Sequence, residues 1–256
     1  MRAKRKLKLI LAVLLIVLAG VALKSTYFAS LLSAHNQAEM RVTKLGRDKL
    51  RANILRAQAH NRQMSDPEWN RRQGKVQNIS AQNLYSAQRQ YQKDPQKAAS
   101  LQGDVIGSIA LPTIQTYLPI LNGATDEHLL IGAGTTKRLA TMGGVNNYTL
   151  AAHNIEVPHI MFSSLSDLNA GDTVFLTDLQ KVYVYKIDKK YIVNPHAIDI
   201  QNDLPGQRTL TLYTCYNEGR ERTVAQGTLS YAVPYDQAAN SVKNLFNLNS
   251  HPSLEW

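Results

Sequence analysis

Cys215 is the only cysteine in the chain and the residue best suited to act as a nucleophile. It ends a segment, residues 208–215, in which side chains should alternate as they do along a β-strand. One face would carry Thr209, Thr211, Tyr213 and Cys215, and the other Leu210, Leu212 and Thr214. The face with the leucines should point towards a core. The thiol of Cys215 therefore lies on the opposite, more polar face of the strand. A reactive thiol is one interpretation, and a buried, inert cysteine is the other.

His153 is the candidate partner of this thiol. A thiol with an ordinary pKa of about 8.5 is mostly protonated at neutral pH, so it needs a basic or cationic neighbour to act as a nucleophile. His153 ends the predicted strand of residues 148–153, just as Cys215 ends its own, whereas the other histidines fall in loops or outside the predicted strands. Complementary chemistry at two strand ends favours a Cys–His pair over a histidine that makes only structural hydrogen bonds.

Arg222 is the candidate donor for an oxyanion. When a thiolate attacks a carbonyl, the negative charge that develops on the oxygen needs a positive group or hydrogen-bond donor. Arg220 and Arg222 follow Cys215 across a turn that contains Gly219. A hairpin would return the chain beside the cysteine, and Arg222 opens the returning strand while Arg220 stays in the turn. We therefore expect Arg222 at the site and Arg220 in solvent.

The elements that must position these residues are strands. After residue 104 the chain consists of short β-branched and aromatic segments separated by Gly, Pro, Asn or Asp. The predicted strands are residues 105–111, 117–121, 148–153, 173–177, 182–193, 208–215 and 222–233. Seven or eight such strands favour an all-β fold, a closed or nearly closed barrel with one or two short helices, for example around residues 160–168.

Positive charge is confined to the first third of the chain. Residues 1–97 hold 19 Lys and Arg against 5 Asp and Glu, whereas residues 98–256 hold 10 against 14. The predicted barrel is therefore mildly acidic, which removes the electrostatic basis for nucleic-acid binding. The single cysteine excludes an intrachain disulfide and a zinc site built on several thiolates.

The first 32 residues have the pattern of a membrane signal-anchor. A basic cluster over residues 2–8 precedes an uncharged run over residues 9–23, and apolar character resumes after Lys24. A span of about 20 residues crosses a bilayer if Lys24 snorkels outward, and the basic cluster keeps the N-terminus cytoplasmic. The alternative is a cleaved signal peptide with Gly20 and Ala22 at its cleavage site. Under either interpretation, the rest of the chain is exported across the membrane.

Between this segment and the barrel, residues 33–102 are predicted to form a helical and polar stalk. Residues 35–62 suggest an amphipathic helix, whose basic residues either attract anionic lipid or wall polymer or form a solvated face. Residues 63–102 are polar and rich in Gln and Asn, which favours a linker. The barrel would then occupy residues 103–235, and residues 236–256 would form a C-terminal tail.

Five stretches of the sequence resemble the sortase family, and class A within it. They are residues 105–112 with Leu118-Pro-Ile120, residues 132–135, residues 142–153, Thr211-Leu-Tyr-Thr-Cys215, and Arg222. The Thr-Leu-x-Thr-Cys motif, with a histidine upstream and an arginine downstream, is highly specific. The resemblance covers about residues 103–233 and implies an eight-stranded barrel.

What the resemblance implies is a membrane-anchored cysteine transpeptidase of Gram-positive bacteria, acting on the outer face of the plasma membrane. Its substrate would be the Leu-Pro-x-Thr-Gly (LPXTG) sorting signal of secreted proteins, cut between Thr and Gly. Cys215 would hold the Thr acyl group as a thioester. His153 would serve as general acid and then base for an amine from the lipid II stem peptide, and Arg222 would stabilise the oxyanion.

The resemblance also implies a substrate groove. Alternation places Ala151 on the face of His153 and Tyr213 on that of Cys215. With Thr214 in the motif, and with Val193, Pro195 and Ile198 in the loop that would receive the signal's leucine, these are the predicted substrate-binding residues. Ordinary core or loop packing is the alternative for each of them.

No cofactor and no metal is predicted. Some class A sortases bind calcium through carboxylates between strands near the active site, but residues 132–147 contain no Asp or Glu and offer none of the oxygen ligands that calcium needs. Two other functions fit a Cys–His pair or a basic stalk less specifically. They are an extracytoplasmic Cys–His wall hydrolase and a wall-binding module without enzymatic activity.

Overall fold

The computed structural model describes residues 46–155 and 157–246. The predicted signal-anchor, residues 1–32, and the last ten residues of the predicted tail lie outside this part. Among the described residues, no helix is both long enough and apolar enough to cross a membrane.

Strands β1 to β8 of the described chain form one closed barrel, which confirms the predicted fold class. They are Val105–Leu111 (β1), Thr116–Leu121 (β2), Ala133–Thr135 (β3), Asn147–Ala151 (β4), Thr173–Thr177 (β5), Lys181–Val193 (β6), Thr209–Tyr216 (β7) and Glu221–Pro234 (β8). Their order around the barrel is β1-β2-β3-β4-β7-β8-β6-β5. The pairs β2–β3 and β4–β7 are parallel, and the other strand pairs are antiparallel. The sequence pattern missed β3, because three small residues carry too little alternation to identify a strand.

The barrel interior is filled by the apolar residues of the strands. Its largest buried cluster includes Ile109, Leu118, Ile120, Tyr148, Leu150, Leu176, Tyr185, Leu210 and Leu212. Residues 160–162, 165 and 168 of the connection between β4 and β5 join this cluster, and Leu165–Asp167 forms a short 3-10 helix there, within the stretch where a helical turn was predicted. A packed interior makes the barrel a rigid frame for the residues at its ends.

Helices precede the barrel, follow it and, in one case, connect two of its strands. They are Arg47–Gln63 (α1), Asp66–Arg72 (α2), Ala81–Lys93 (α3), Pro95–Asp104 (α4), Asp126–Leu129 (α5, between β2 and β3) and Asn240–Leu245 (α6). Side-chain oxygens of Ser65, Ser80, Asp94 and Thr125 accept hydrogen bonds from the first-turn backbone N–H groups of α2, α3, α4 and α5. Such caps satisfy donors that would otherwise lack a partner, so they explain where these polar segments begin their helices.

The structure differs from the polar linker that composition favoured over residues 63–102. Trp69 of α2 and Leu84 of α3 are only 4% and 1% exposed, and Leu84 belongs to the main core cluster. The Trp69 indole donates to the Thr136 carbonyl, and the buried Gln88 amide donates to the Leu130 carbonyl. The helical period places these few residues on the barrel-facing side, so a segment with low average hydrophobicity still packs against the barrel.

The first and last described helices also pack against the barrel. Leu50 of α1 is fully buried in a cluster with Val105 and Leu121, and Phe246, which follows α6, packs near Val182. The folded unit therefore includes residues on both sides of the predicted 103–235 domain.

The packing of α3 predicts that two leucine-to-alanine substitutions have different effects on the free energy of unfolding. Leu84→Ala should lower the free energy of unfolding by about 2–5 kcal/mol, because it removes a fully buried side chain from the core. Leu55→Ala in α1 should change it by no more than about 0.5 kcal/mol, because Leu55 is 56% exposed. Urea unfolding followed by circular dichroism measures both. Equal effects would show that α3 is a detached stalk.

Candidate active site

Strand pairing brings the three sequence-predicted catalytic residues to one end of the barrel. Ala151 of β4 pairs with Tyr213 of β7 in parallel, so His153 and Cys215 each lie two residues beyond the same rung. The hairpin from β7 to β8 pairs Cys215 directly with Arg222. Cys215 and Arg222, which follow His153 by 62 and 69 positions, thus lie at the same end of the barrel as His153.

The guanidinium of Arg222 lies against the thiol. Its Nη1 is 2.6 Å from Cys215 Sγ. Arg220 instead lies in the turn, where its Nη2 is 3.2 Å from a carboxylate oxygen of Glu218 and its side chain is 68% exposed. The hairpin from β7 to β8 therefore places Arg222 beside the thiol and leaves Arg220 in solvent.

A backbone segment covers these groups. Residues 74–79, which we call the strap, connect α2 to α3 and pass across the ends of β4 and β7. The carbonyl oxygen of Val76 accepts from Cys215 Sγ at 2.7 Å and from Arg222 Nη1 at 2.7 Å. His153 Nδ1 lies 3.1 Å from the backbone nitrogen of Gln77 and 3.0 Å from the carbonyl oxygen of Gln77. It accepts from the N–H when unprotonated and donates to the carbonyl when protonated. As a result Cys215 is 1% exposed and His153 is 4% exposed.

Burial under the strap decides the protonation of the pair. It raises the pKa of the Cys215 thiol, and the charge and hydrogen bond of Arg222 offset only part of this effect. Burial also lowers the pKa of His153, against the raising effects of a backbone hydrogen bond with Gln77 and of the Asp126 charge. Because the two shifts run in opposite directions, a neutral thiol and a neutral imidazole are the favoured forms near pH 7.

Two side chains tie the ends of β4 and β7 together. Asn154 Nδ2 donates to the carbonyl of Cys215 at 3.0 Å, and Thr214 Oγ1 donates to the carbonyl of Ala152 at 2.8 Å. Thr214 is 2% exposed, so its side chain bridges the strands, which differs from the substrate contact that the resemblance implies. These bonds fix the spacing between the histidine and the cysteine.

The predicted groove residues fall in two places. Ala151 and Tyr213 lie beside Cys215 in an apolar cluster that also holds Val76, Ala124 and Leu129. Val193 ends β6 and pairs with Arg222, whereas Pro195 and Ile198 follow in the loop between β6 and β7, where Ile198 is 79% exposed. The sequence pattern does not reveal the strap, Ala124 or Leu129. The strap acts mainly through its main-chain atoms, which no residue pattern reveals.

Asn147, at the start of β4, fixes the loop between β6 and β7. Its Nδ2 donates to the carbonyls of Ile200 at 2.9 Å and Asn202 at 3.2 Å, and its backbone N–H donates to Asp203 at 2.6 Å. Lys137, from the loop between β3 and β4, also reaches Asp203 at 2.5 Å. Within residues 46–155 and 157–246, no group of three or more His, Cys, Asp or Glu side chains is placed to hold a metal.

A thiol, an imidazole and a guanidinium at one end of a closed barrel are the groups that cysteine-dependent catalysis requires. Comparison with known proteins identifies the family. A family model described as a sortase domain matches residues 109–230. Sortase A of Streptococcus agalactiae is 35% identical over 177 residues, which cover 67% of this chain and 68% of that protein. Sortase A of Bacillus anthracis is 35% identical over 127 residues, which cover 49% of this chain and 60% of that protein.

Solved structures show the same fold. That of Listeria monocytogenes sortase A is 28% identical and matches with a TM-score of 0.52, covering 56% of this chain and 97% of that chain. The chain therefore belongs to the sortase family, and its named Sortase A relatives support class A. It is a cysteine transpeptidase.

The Asn147 contacts predict the consequence of removing its amide donors. Asn147→Asp keeps the shape of the side chain but places a carboxylate oxygen against two carbonyl oxygens. This change should lower the free energy of unfolding by about 1–3 kcal/mol and speed amide hydrogen exchange in residues 199–204. Lys137→Met removes an ion pair whose partners are 23% and 55% exposed, so it should lower the free energy of unfolding by at most about 1 kcal/mol. Exchange mass spectrometry and urea unfolding compare them. Similar exchange in both variants would contradict the role of Asn147.

The opposed pKa shifts predict how the thiol reacts with pH. Because the pKa of Cys215 is raised, the thiolate forms only at higher pH, and iodoacetamide alkylation of the native protein should have its midpoint above the ordinary thiol value of about 8.5. The same protein in urea should show a midpoint near that ordinary value. A native midpoint below the urea value would indicate a stable thiolate–imidazolium pair instead.

Proposed function

We propose that this transpeptidase cleaves LPXTG sorting signals between Thr and Gly and joins the Thr acyl group to a cell-wall precursor amine. One observation carries the mechanism. The peptide bond between Val76 and Gln77 has its carbonyl oxygen against Cys215 and Arg222, and its amide nitrogen against His153. A substrate peptide that takes the place of the strap would present its scissile bond to the same three groups.

The first half of the reaction forms a thioester. The Cys215 thiolate attacks the Thr carbonyl carbon, and the carbonyl oxygen becomes an oxyanion beside the Arg222 guanidinium. When the carbon–nitrogen bond breaks, the Gly amine takes a proton from the imidazolium of His153. The acyl group then remains on sulfur, and the glycine-bearing fragment leaves.

The second half transfers the acyl group. An amine loses a proton to neutral His153 and attacks the thioester carbon, and the Cys215 sulfur leaves as a thiolate. The product is a new amide bond, and the thiolate–imidazolium pair is restored. If water attacked in place of the amine, the product would be a free acid, as in the wall hydrolase alternative.

We also propose that the enzyme acts at the outer face of the plasma membrane. The basic cluster over residues 2–8 and the apolar run after it support an N-terminal anchor with its N-terminus in the cytoplasm. The barrel would then lie where secreted proteins and the lipid II stem peptide are both available.

The activity is tested with the full chain in detergent micelles, an LPXTG peptide and triglycine or dialanine as the amine. Mass spectrometry should find a product that ends in Thr joined to the amine, and Cys215→Ala should abolish both this product and cleavage. Free acid as the sole product, with amine in excess, would favour a hydrolase.

Arg222 and Arg220 provide a matched pair of conservative changes. Arg222→Lys should reduce kcat by about 100-fold, because a single ammonium does not reproduce the guanidinium donors beside the attacked carbonyl. Arg220→Lys should stay within about twofold of the parent enzyme, because that side chain lies in an exposed turn. Steady-state kinetics with the same peptide measures kcat for both variants. A larger loss of kcat in Arg220→Lys than in Arg222→Lys would show that the oxyanion donor is wrongly assigned to Arg222.

A further inference from the structure

We propose that a cavity between α1 and the barrel, which we call the α1 cavity, is a binding site for a small amphipathic anion. The ligand class is a compact apolar body, such as a pair of fused aromatic rings, with a neutral hydrogen-bond acceptor at its inner end and one anionic group at its outer end. The catalytic residues Cys215, His153 and Arg222 do not line this cavity, so the inference stands apart from the proposed function.

The α1 cavity has the size of a small-molecule site. Its volume is about 430 Å³, which lies in the range where proteins bind small ligands. It is bounded by one face of α1, by the loop between β3 and β4, and by residues near the start of β1, β4 and β6. The lining residues include Ile54, Ala57, Ile106, Leu139, Met142 and Tyr148.

Apolar side chains form one wall of the α1 cavity. Ile54 packs against the cluster that contains Leu50, and Ile106 and Met142 pack against the main core cluster. These three lining side chains are only partly buried by the protein itself. An apolar ligand body in the cavity would remove more of their surface from water, which favours binding.

Tyr148 places a polar group at the inner end of the α1 cavity. This residue is 2% exposed, and within residues 46–155 and 157–246 its hydroxyl has no hydrogen-bond partner, which is unusual for a buried polar atom. Burial raises the pKa of the phenol, so the hydroxyl keeps its proton and is available as a donor. A ligand oxygen that accepts this proton would satisfy the hydroxyl.

Asp178, which also lines the α1 cavity, requires this ligand oxygen to be uncharged. Its charge acts on the same phenol and helps to raise the pKa of Tyr148. The Asp178 carboxylate accepts from the Tyr183 hydroxyl at 3.1 Å, and from the backbone N–H groups of Gln180 and Lys181 at 2.9 and 2.8 Å. A second anion beside it would be repelled. The inner end therefore fits a hydroxyl, ether or carbonyl oxygen.

The outer end of the α1 cavity is cationic. Arg62, Lys137 and Arg138 all line it. Lys137 pairs with Asp203, and Arg138 pairs with a carboxylate of α2, Asp66. Arg62 is exposed and forms no ion pair with any residue that the structure describes. One positive charge at the rim is thus left for the anionic group of the ligand.

A pair of amides fixes α1 on the barrel beside the cavity. Asn61 Nδ2 donates to Asn122 Oδ1 at 2.8 Å and to the Arg138 carbonyl at 2.9 Å, and Asn122 Nδ2 donates back to Asn61 Oδ1 at 3.1 Å. Arg138 Nη1 donates to the Asn61 carbonyl at 2.6 Å. These bonds join α1 to the end of β2 and to the β3–β4 loop, so the cavity is preformed and binding orders little of the chain.

The proposal is tested with 6-hydroxynaphthalene-2-sulfonate, which carries a hydroxyl and a sulfonate at opposite ends of two fused rings. The full chain in detergent micelles is labelled with carbon-13 at its methionine methyl groups. The ring current of the bound naphthalene should shift the Met142 methyl resonance with saturation, and the methyl of Met161, which is fully buried in the barrel core, should not shift. Equal shifts of both, or a shift without saturation, would overturn the proposal.

The inner end is tested by comparing two ligands in one variant. Tyr148→Phe should weaken binding of 6-hydroxynaphthalene-2-sulfonate at least about fivefold, because it removes the donor to the ligand hydroxyl. Binding of naphthalene-2-sulfonate, which lacks that hydroxyl, should stay within about twofold. Tyr231→Phe, at a phenol that is 55% exposed, is the control and should change neither. Unchanged binding of the hydroxylated ligand in Tyr148→Phe would contradict the proposal.

The outer end is tested by removing the charge of Arg62. Arg62→Gln should weaken binding of both sulfonates at least about threefold and leave binding of 2-naphthol, which has no anionic group, unchanged. Arg51→Gln changes another exposed arginine of α1 and should have no effect. An equal loss of 2-naphthol binding, or no loss for the sulfonates, would show that the site does not recognise an anion.

The location is tested by filling the α1 cavity. Ala57→Trp places an indole in it and should abolish the saturable shift, whereas Ala52→Trp, at an exposed position of the same helix, should not. The urea midpoint of each variant checks that it is folded. Full binding by folded Ala57→Trp would place the ligand elsewhere and overturn the proposal. Tyr148→Phe removes only an unpartnered hydroxyl, so its result stands even if the tryptophan at position 57 prevents folding.

Discussion

The pairing of β4 with β7 and of β7 with β8 is the constraint on which the site depends. The parallel rung between Ala151 and Tyr213 puts His153 and Cys215 at the same edge, and the antiparallel rung between Cys215 and Arg222 adds the guanidinium. A slip of one residue in either pair would turn one of these side chains to the opposite face. The filled interior of the barrel and the bonds from Asn154 and Thr214 hold this register.

Burial acts on this constellation in two ways. It excludes water, which strengthens the electrostatic interactions between the reacting groups, and it shifts the pKa values of the thiol and the imidazole apart. In the described conformation the strap supplies much of that burial. The barrel thus fixes the positions of the groups, whereas a short loop segment influences their protonation and their access to a peptide.

Polar contacts position the loops that connect β3 to β4 and β6 to β7. The fully buried amide of Asn147 donates hydrogen bonds to two carbonyls of the β6–β7 loop. Lys137 joins the β3–β4 loop to the β6–β7 loop through its ion pair with Asp203. The helices before β1 add a further layer, because α2 and α3 pack on the barrel and hold the strap between them. Residues far from the thiol in sequence therefore determine how its end of the barrel is covered.

The sequence by itself determined the all-β class, most strand positions and the three residues of the site, because alternation and a conspicuous motif are local properties. It also separated Arg222 from Arg220, since a hairpin is a local structure. Only the tertiary structure decided that residues 63–102 pack as helices on the barrel and that Val76 and Gln77 cover the thiol. The packing of residues 63–102 depends on a few buried side chains, which an average over the composition does not detect. The cover over the thiol depends on backbone atoms, which are the same for every residue type.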